Sequence, residues 1–125
     1  MNLEKVLFGF FIVLALTLNV AFVVGDIAVP DHHNIWLLFA AVVVNLIATI
    51  LKLGDRSQTG ALLLATALVA DLQLIASSLI WTFADTTAGL DALATATIVS
   101  LAVGALVANI VSVTLLVSDT LISGR

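Results

Sequence analysis

The chain has no cysteine, no tyrosine and a single proline, and Lys and Arg together number four in 125 residues. Each shortage removes a class of function. Without cysteine there are no disulfides, thiolate metal sites, c-type haem attachments or iron–sulfur ligands. Without tyrosine the potassium-filter signature Thr-Val-Gly-Tyr-Gly cannot be written. So few basic residues do not make a nucleic-acid interface, so no nucleic-acid partner is expected. Charge of either sign is scarce, at 10% of residues against roughly 25% in a soluble domain. Hydrophobic residues take its place, at 62%.

A helix crosses the hydrocarbon core with about 17–25 apolar residues. Four stretches qualify: residues 6–25, 35–53, 60–84 and 92–118. None shows the strict alternation of a membrane strand. The links between them are short, so consecutive helices are antiparallel neighbours. The sequence therefore predicts an all-α integral membrane protein, one domain over residues 1–125, folded as a four-transmembrane-helix up-down bundle. Lys5, Lys52, Arg56 and Arg125 all fall on one side of these spans. The other side carries Asp26, Asp31, Asp85 and Asp91 with His32 and His33. The positive-inside rule then places both termini in the cytoplasm. Trp36 and Trp81 land together at the opposite boundary, as an aromatic belt would. Val23 and Gly25 would make a tolerable signal-peptide cleavage site, but the apolar run is long and its start only weakly basic, which favours a retained span.

Asp71 is the one charged residue within the third span. A charge at the bilayer centre costs about 2.5–3.5 kcal/mol on insertion scales, so such residues pair inside a bundle, line a wet path or stay protonated. At 1.5 Å per residue, Asp71 lies about 18 Å below the Trp-bearing boundary and Asn45 about 15 Å, both near the middle of a core about 30 Å thick. Asn109 lies nearer the basic side, and Asn19, Ser77, Ser78 and Ser100 form a tier nearer the other. Two readings of Asp71 stand. It is a carboxyl that fastens helices through partners such as Asn45, or it is an ion or proton site, and no Lys or Arg lies at its depth to neutralise it. The candidate intramembrane polar cluster is Asp71, Asn45, Gln73, Asn109, Asn19 and Ser78.

The third span is polar in two directions. Ala67, Asp71, Leu74 and Ser78 share one stripe, and Thr66, Ala70, Gln73 and Ser77 another. If the first faces the bundle, the second needs another partner, which points to a neighbouring subunit. In the fourth span Ala96, Ser100, Gly104, Ala108 and Ser112 recur every four residues, a groove that lets a second backbone approach closely, within the chain or between chains. Ala102 points about 160° away from Gly104 on a 3.6-residue helix and is expected to matter less.

Motifs for catalysis are lacking. There is no phosphate loop, Ser-His-Asp arrangement or His-Glu-x-x-His, so no enzymatic activity and no cofactor are expected. Asp26, Asp31, His32 and His33 match no metal-ligand spacing, and no metal site is assigned. A solvated, pH-responsive loop is the expectation there.

Asn2-Leu3-Glu4-Lys5, His32-His33-Asn34, Leu46-Ile47-Ala48-Thr49, Lys52-Leu53-Gly54-Asp55-Arg56, Leu64-Ala65-Thr66 and Val69-Ala70-Asp71-Leu72-Gln73-Leu74 resemble a family of short bacterial inner-membrane proteins of unknown function. The resemblance covers the first three spans best. It implies a multi-pass protein of the bacterial cytoplasmic membrane and no particular activity.

Three functions follow as expectations. The first is a homo-oligomeric cation or proton transport or channel component, with acidic loops concentrating cations at its mouth. The second is a non-catalytic accessory subunit of a larger membrane complex. The third is a module that binds a lipid or small molecule. The expected partners are the lipid bilayer, further copies of the chain and, in the second reading, a larger membrane protein.

Overall fold

Polar residues set where the second, third and fourth helices start. In the computed structural model, which describes residues 3–26, 28–84 and 90–123, the helices are α1 (Leu3–Val23), α2 (Ile35–Lys52), α3 (Gln58–Phe83) and α4 (Ala92–Ser123). Asn34 Oδ1 accepts the N–H of Trp36 at 2.8 Å ahead of α2. Ser57 Oγ accepts the N–H of Gly60 at 3.0 Å ahead of α3. Asp91 Oδ1 accepts the N–H of Ala94 at 2.7 Å ahead of α4. These caps satisfy N–H groups that a helix start leaves without partners. They also explain why α3 begins before the apolar run at 60: hydropathy marks the apolar stretch, while the cap marks the helix. Asp85 and Arg125, used above to assign sides, lie outside the described residues.

All four helices are long and apolar enough to cross a membrane, which suggests a multi-pass membrane protein. Their surfaces agree. α1 buries one stripe, Phe8, Ile12, Ala15, Asn19 and Phe22, and is apolar on its open faces too. Midway along the bundle Phe10, Val43, Leu72 and Val107 stand exposed. A helix apolar all round needs an apolar surrounding on every side, and lipid provides it where protein does not.

The helices close a ring in chain order. α1 packs on α2 and α4, and α3 packs on α2 and α4, with the α3–α4 contact the most extensive. The up-down arrangement follows from the short links. The bundle's interior has two apolar clusters. One holds Phe22, Leu38, Ala41, Ala70, Leu74, Ile98, Val99, Ala102, Ala105 and Ala108. The other, at the end carrying Lys5, Lys52 and Arg56, holds Phe8, Ile12, Ala48 and Leu63. Alanines dominate the larger cluster and let the helices approach closely, which matters where lipid competes equally for apolar surface.

Candidate functional site

Between the two apolar clusters lies a polar layer. On α2 it is built by a helical spacing: Ala41, Asn45, Ala48, Thr49 and Lys52 are all buried on one face. On α3 the same level presents Asp71, which is 5% exposed. Thr49 joins them. Its Oγ1 lies 2.5 Å from Asp71 Oδ2 and 2.9 Å from the Asn45 carbonyl oxygen. Asn45 Nδ2 donates to the Ala41 carbonyl at 3.2 Å. On α4, Asn109 is fully buried. Two α3–α4 approaches bracket it: Thr66 Oγ1 meets Ser112 Oγ at 2.5 Å, and the Gln73 amide lies against Gly104. Asp71 and Asn109 therefore share a stretch of bundle about 10 Å long.

The oxygens of this layer are under-supplied with donors. Asp71 Oδ1, Asn45 Oδ1 and Asn109 Oδ1 are buried with no hydrogen-bond partner. A buried polar atom without a partner costs about 1–3 kcal/mol, and nearly all such atoms in folded proteins are paired. Three acceptors at one level ask for a proton, a water or a cation. No titratable side chain other than Asp71 lies between Lys5 and Asp26 on the first helix, His33 and Lys52 on the second, Arg56 and Asp85 on the third, or Asp91 and Asp119 on the fourth.

The remaining candidates go elsewhere. Asn19 fastens α1 to α4: its amide nitrogen donates to the Ala102 carbonyl at 3.0 Å and its oxygen accepts the Leu106 N–H at 3.1 Å, in the amide orientation that satisfies both groups. Ser77 Oγ donates to the Ile98 carbonyl at 2.9 Å. Ser78 Oγ and Gln73 Oε1 are buried without partners. The second polar stripe of α3 is thus covered by α4 of the same chain, through Thr66, Gln73 and Ser77, and supplies no argument for a neighbouring subunit. α3 sits between two helices in the ring, so two of its faces are interior.

The small-residue stripe of α4 also divides. Ala108 and Ser112 are buried, Ala96 and Gly104 partly so, and Ser100 is exposed. Ala102, expected to point away from the packing, is fully buried. α4 likewise touches two helices: Gly104 faces Gln73 on α3, while Ala102 lies beside Asn19 of α1. Outside the ring, Ala65, Thr66, Val69, Gly104, Val107, Ala108 and Val111 line an apolar groove of about 290 Å³ along α3 and α4.

Two residues escaped sequence reasoning. Thr49 is one; its signal was the four-residue step from Asn45. Lys52 is the other. It is 5% exposed, its Nζ is 3.3 Å from Asp55 Oδ2, and it sits 4.5 Å from the centre of the Phe8 ring. It continues the polar face of α2 one turn past Thr49. Beside it a cavity of about 370 Å³ is lined by Lys5, Lys52, Asp55, Thr59, Leu63 and Asp119 among others. Asp119 ties that end together, 3.9 Å from Lys5 Nζ and accepting from Thr59 Oγ1 at 3.3 Å. Ser57 donates to Asp55 Oδ1 from its hydroxyl at 2.7 Å and its N–H at 2.9 Å. First the hydroxyl and then the N–H hold the Asp55 carboxyl below the usual aspartate range.

The opposite end is closed by the histidine pair. His33 is 4% exposed, not solvated. Its Nδ1 lies 2.6 Å from the Phe22 carbonyl oxygen and its Nε2 2.8 Å from that of Asp26. His33 thus closes the carbonyl end of α1, whose last C=O groups have no partner within the helix. His32 Nδ1 accepts the Asp26 N–H at 2.7 Å. Gly25 makes the turn possible with φ of 107°, and a Cβ there would stand 2.7 Å from His32 Cβ.

Residues 32–120, from the histidine pair almost to the end of α4, match the model of DUF6394, a family of unknown function. The chain belongs to that family. The match begins after α1 and includes the fourth span, whereas the resemblance noted above was strongest over the first three. No curated protein and no solved structure matches the chain.

Proposed function

We propose that this DUF6394 member is a small multi-pass membrane protein that carries a cation or proton, with Asp71 as the binding group. One observation supports this above others: a buried Asp71, midway along its helix, has one unpartnered carboxyl oxygen at the level of two unpartnered carboxamide oxygens. An ionisable group at membrane depth is a functional candidate by default. The lysine and arginine distribution favours placing the basic end in the cytoplasm, in a bacterial inner membrane. The chain would act without catalysis and without a cofactor. Because the polar layer lies inside one bundle, the path would run within the protomer rather than between subunits. Self-association would use the apolar groove of Ala65, Gly104 and Ala108, whose small residues allow a foreign helix close approach.

The test is flux in liposomes. Asp71→Asn keeps size and most hydrogen bonding but loses the titratable group, and transport of protons or alkali cations is expected to fall sharply while the protein still inserts. Equal flux from wild type and Asp71→Asn would overturn the reading. The alternative is an accessory subunit, favoured by the same groove if a foreign helix fills it; stoichiometric co-purification with one larger membrane protein would put it ahead.

A further inference from the structure

The oxygens around Thr49 allow a choice between the two species left open above, a choice that rests on Asp71 being the binding group. Thr49 Oγ1 has two acceptors against it, Asp71 Oδ2 at 2.5 Å and the Asn45 carbonyl at 2.9 Å. Oxygens this close need a hydrogen between them, since 2.5–3.0 Å is the range of O–H···O bonds. Thr49 has one hydroxyl hydrogen for these two contacts. If Asp71 is ionised, that one hydrogen must be shared between a carboxylate and a carbonyl on different helices.

The same chain shows how such a node is normally completed. Thr66 Oγ1 lies 3.0 Å from the Leu63 carbonyl, 3.2 Å from the Leu62 carbonyl and 2.5 Å from Ser112 Oγ. With the Thr66 hydrogen turned to the two carbonyls, the Ser112 hydroxyl is the group left to supply the hydrogen of the short contact. At Thr49 the place of Ser112 is taken by Asp71. A carboxyl supplies a hydrogen only as the acid.

We propose that the species bound at this site is a proton, held on Asp71 Oδ2, with Thr49 as the residue that receives its hydrogen bond. The carboxylate takes up one proton and becomes neutral. Asp71 then donates to Thr49 Oγ1, and Thr49 donates to the Asn45 carbonyl. A shared metal cation does not bring Thr49 and Asp71 oxygens to 2.5 Å; a proton does. Neutrality also accounts for the absence of a countercharge. The side chains facing Asp71 from the other three helices are neutral at its level, and the nearest charged group on a facing helix is Lys52, one helical turn beyond Thr49 and paired with Asp55. Lys52 and the polar cavity beside it give the proton its route toward the basic end. Toward the histidine end the larger apolar cluster stands in the way.

Infrared difference spectra of the full chain in lipid, wild type minus Asp71→Asn at neutral pH, test this. A protonated carboxyl C=O band present in wild type and lost in Asp71→Asn is expected. Thr49→Val, nearly isosteric, removes the acceptor and should shift the band to higher frequency; Thr49→Ser should restore it. A carboxylate pair in the difference spectrum, or an acid band that disappears when sodium or potassium is added, would overturn the proton assignment. If Asp71→Asn fails to fold, an unshifted acid band in Thr49→Val overturns it alone. An acid band together with Asp71-independent flux would sink the transport reading and leave the proton assignment standing. Asp71-dependent flux with a carboxylate spectrum would do the reverse.

Discussion

Beyond Asn45 toward the histidines, the interior is closed by Phe22, Leu38, Leu74, Ile98 and Val99, each at most 1% exposed, and above them His33 spends both ring nitrogens on backbone carbonyls. Toward the basic end Phe8, Ile12, Ala48 and Leu63, with Phe11, Leu51, Val113 and Leu116 packed against them, stand between the polar layer and a cavity of about 370 Å³, and Lys52 runs along the same face of α2 as Thr49. One half is a mainly apolar plug, in which Asn19, Ser77 and Thr95 bond to neighbouring backbone. The other has an apolar shell with a polar column through it. The difference teaches that Asp71, though central by residue count, has asymmetric surroundings: the polar face it meets through Thr49 continues toward Lys52.

The comparison can be broken most directly by chemistry, because the chain has no cysteine of its own. Leu63 lines the basic-end cavity, and Leu74 sits within the larger apolar cluster. Single cysteines at the two positions should differ in reaction with a charged thiol reagent by at least about tenfold, equivalent to ~1.4 kcal/mol in barrier. Similar rates, or a faster Leu74→Cys, would mean that the plug is not dry. Next in size is Lys52→Met, which keeps the stem over Phe8 and removes the ammonium. Proton uptake by liposomes should slow, again by about tenfold, while Asp55 keeps its two bonds from Ser57. An unchanged rate would take Lys52 out of the path.

Packing gives a third contrast, between the two neighbours of α4. A Cβ on Gly104 would come within 2.5 Å of the Gln73 amide, the movable end of a flexible side chain. Ala102 is fully buried, beside an Asn19 whose bonds to Ala102 and Leu106 fix it. Overpacking a close-packed site costs about 1–3 kcal/mol. Ala102→Leu should fall at the upper end and Gly104→Ala at the lower, read as loss of thermal stability in detergent. The opposite ranking would mean that α1 yields more readily than Gln73 moves.

The fold was legible in the sequence because its signals are long. Four apolar runs with short polar links leave few arrangements, and the lysines, arginine, histidines and tryptophans sort to two ends. Asp71 was legible for the same reason, as a charge where none is expected. What escaped depends on rotation about the helix axes. Ala102 and Gly104 could be ranked only after two neighbours of α4 were known, and the Gln73 stripe suggested a second subunit because a helix in a ring has two inner faces. Thr49 is invisible to hydropathy, since an apolar helix tolerates a threonine that bonds back to its own carbonyl. His33 looked solvated because a histidine in a polar loop usually is, and nothing in the spacing says that the Phe22 and Asp26 carbonyls converge on its ring.

The smallest expected effect lies at that ring, and it separates sealing from binding. His33→Phe keeps an aromatic body against Phe22, whose ring centre is 5.6 Å from that of His33, but leaves the Phe22 and Asp26 carbonyls without their donor. Water reaches this end of the bundle more readily than the interior, so the loss should be that of ordinary hydrogen bonds, about 1 kcal/mol. Hydrogen exchange should quicken over residues 24–34 and stay unchanged around Asn45 and Asp71. If His33→Phe instead opened the interior, so that Leu74→Cys became reactive in that background, the seal would reside in the histidine clamp rather than in the apolar cluster beneath it. That half of the bundle would then be a gate held shut by one histidine ring.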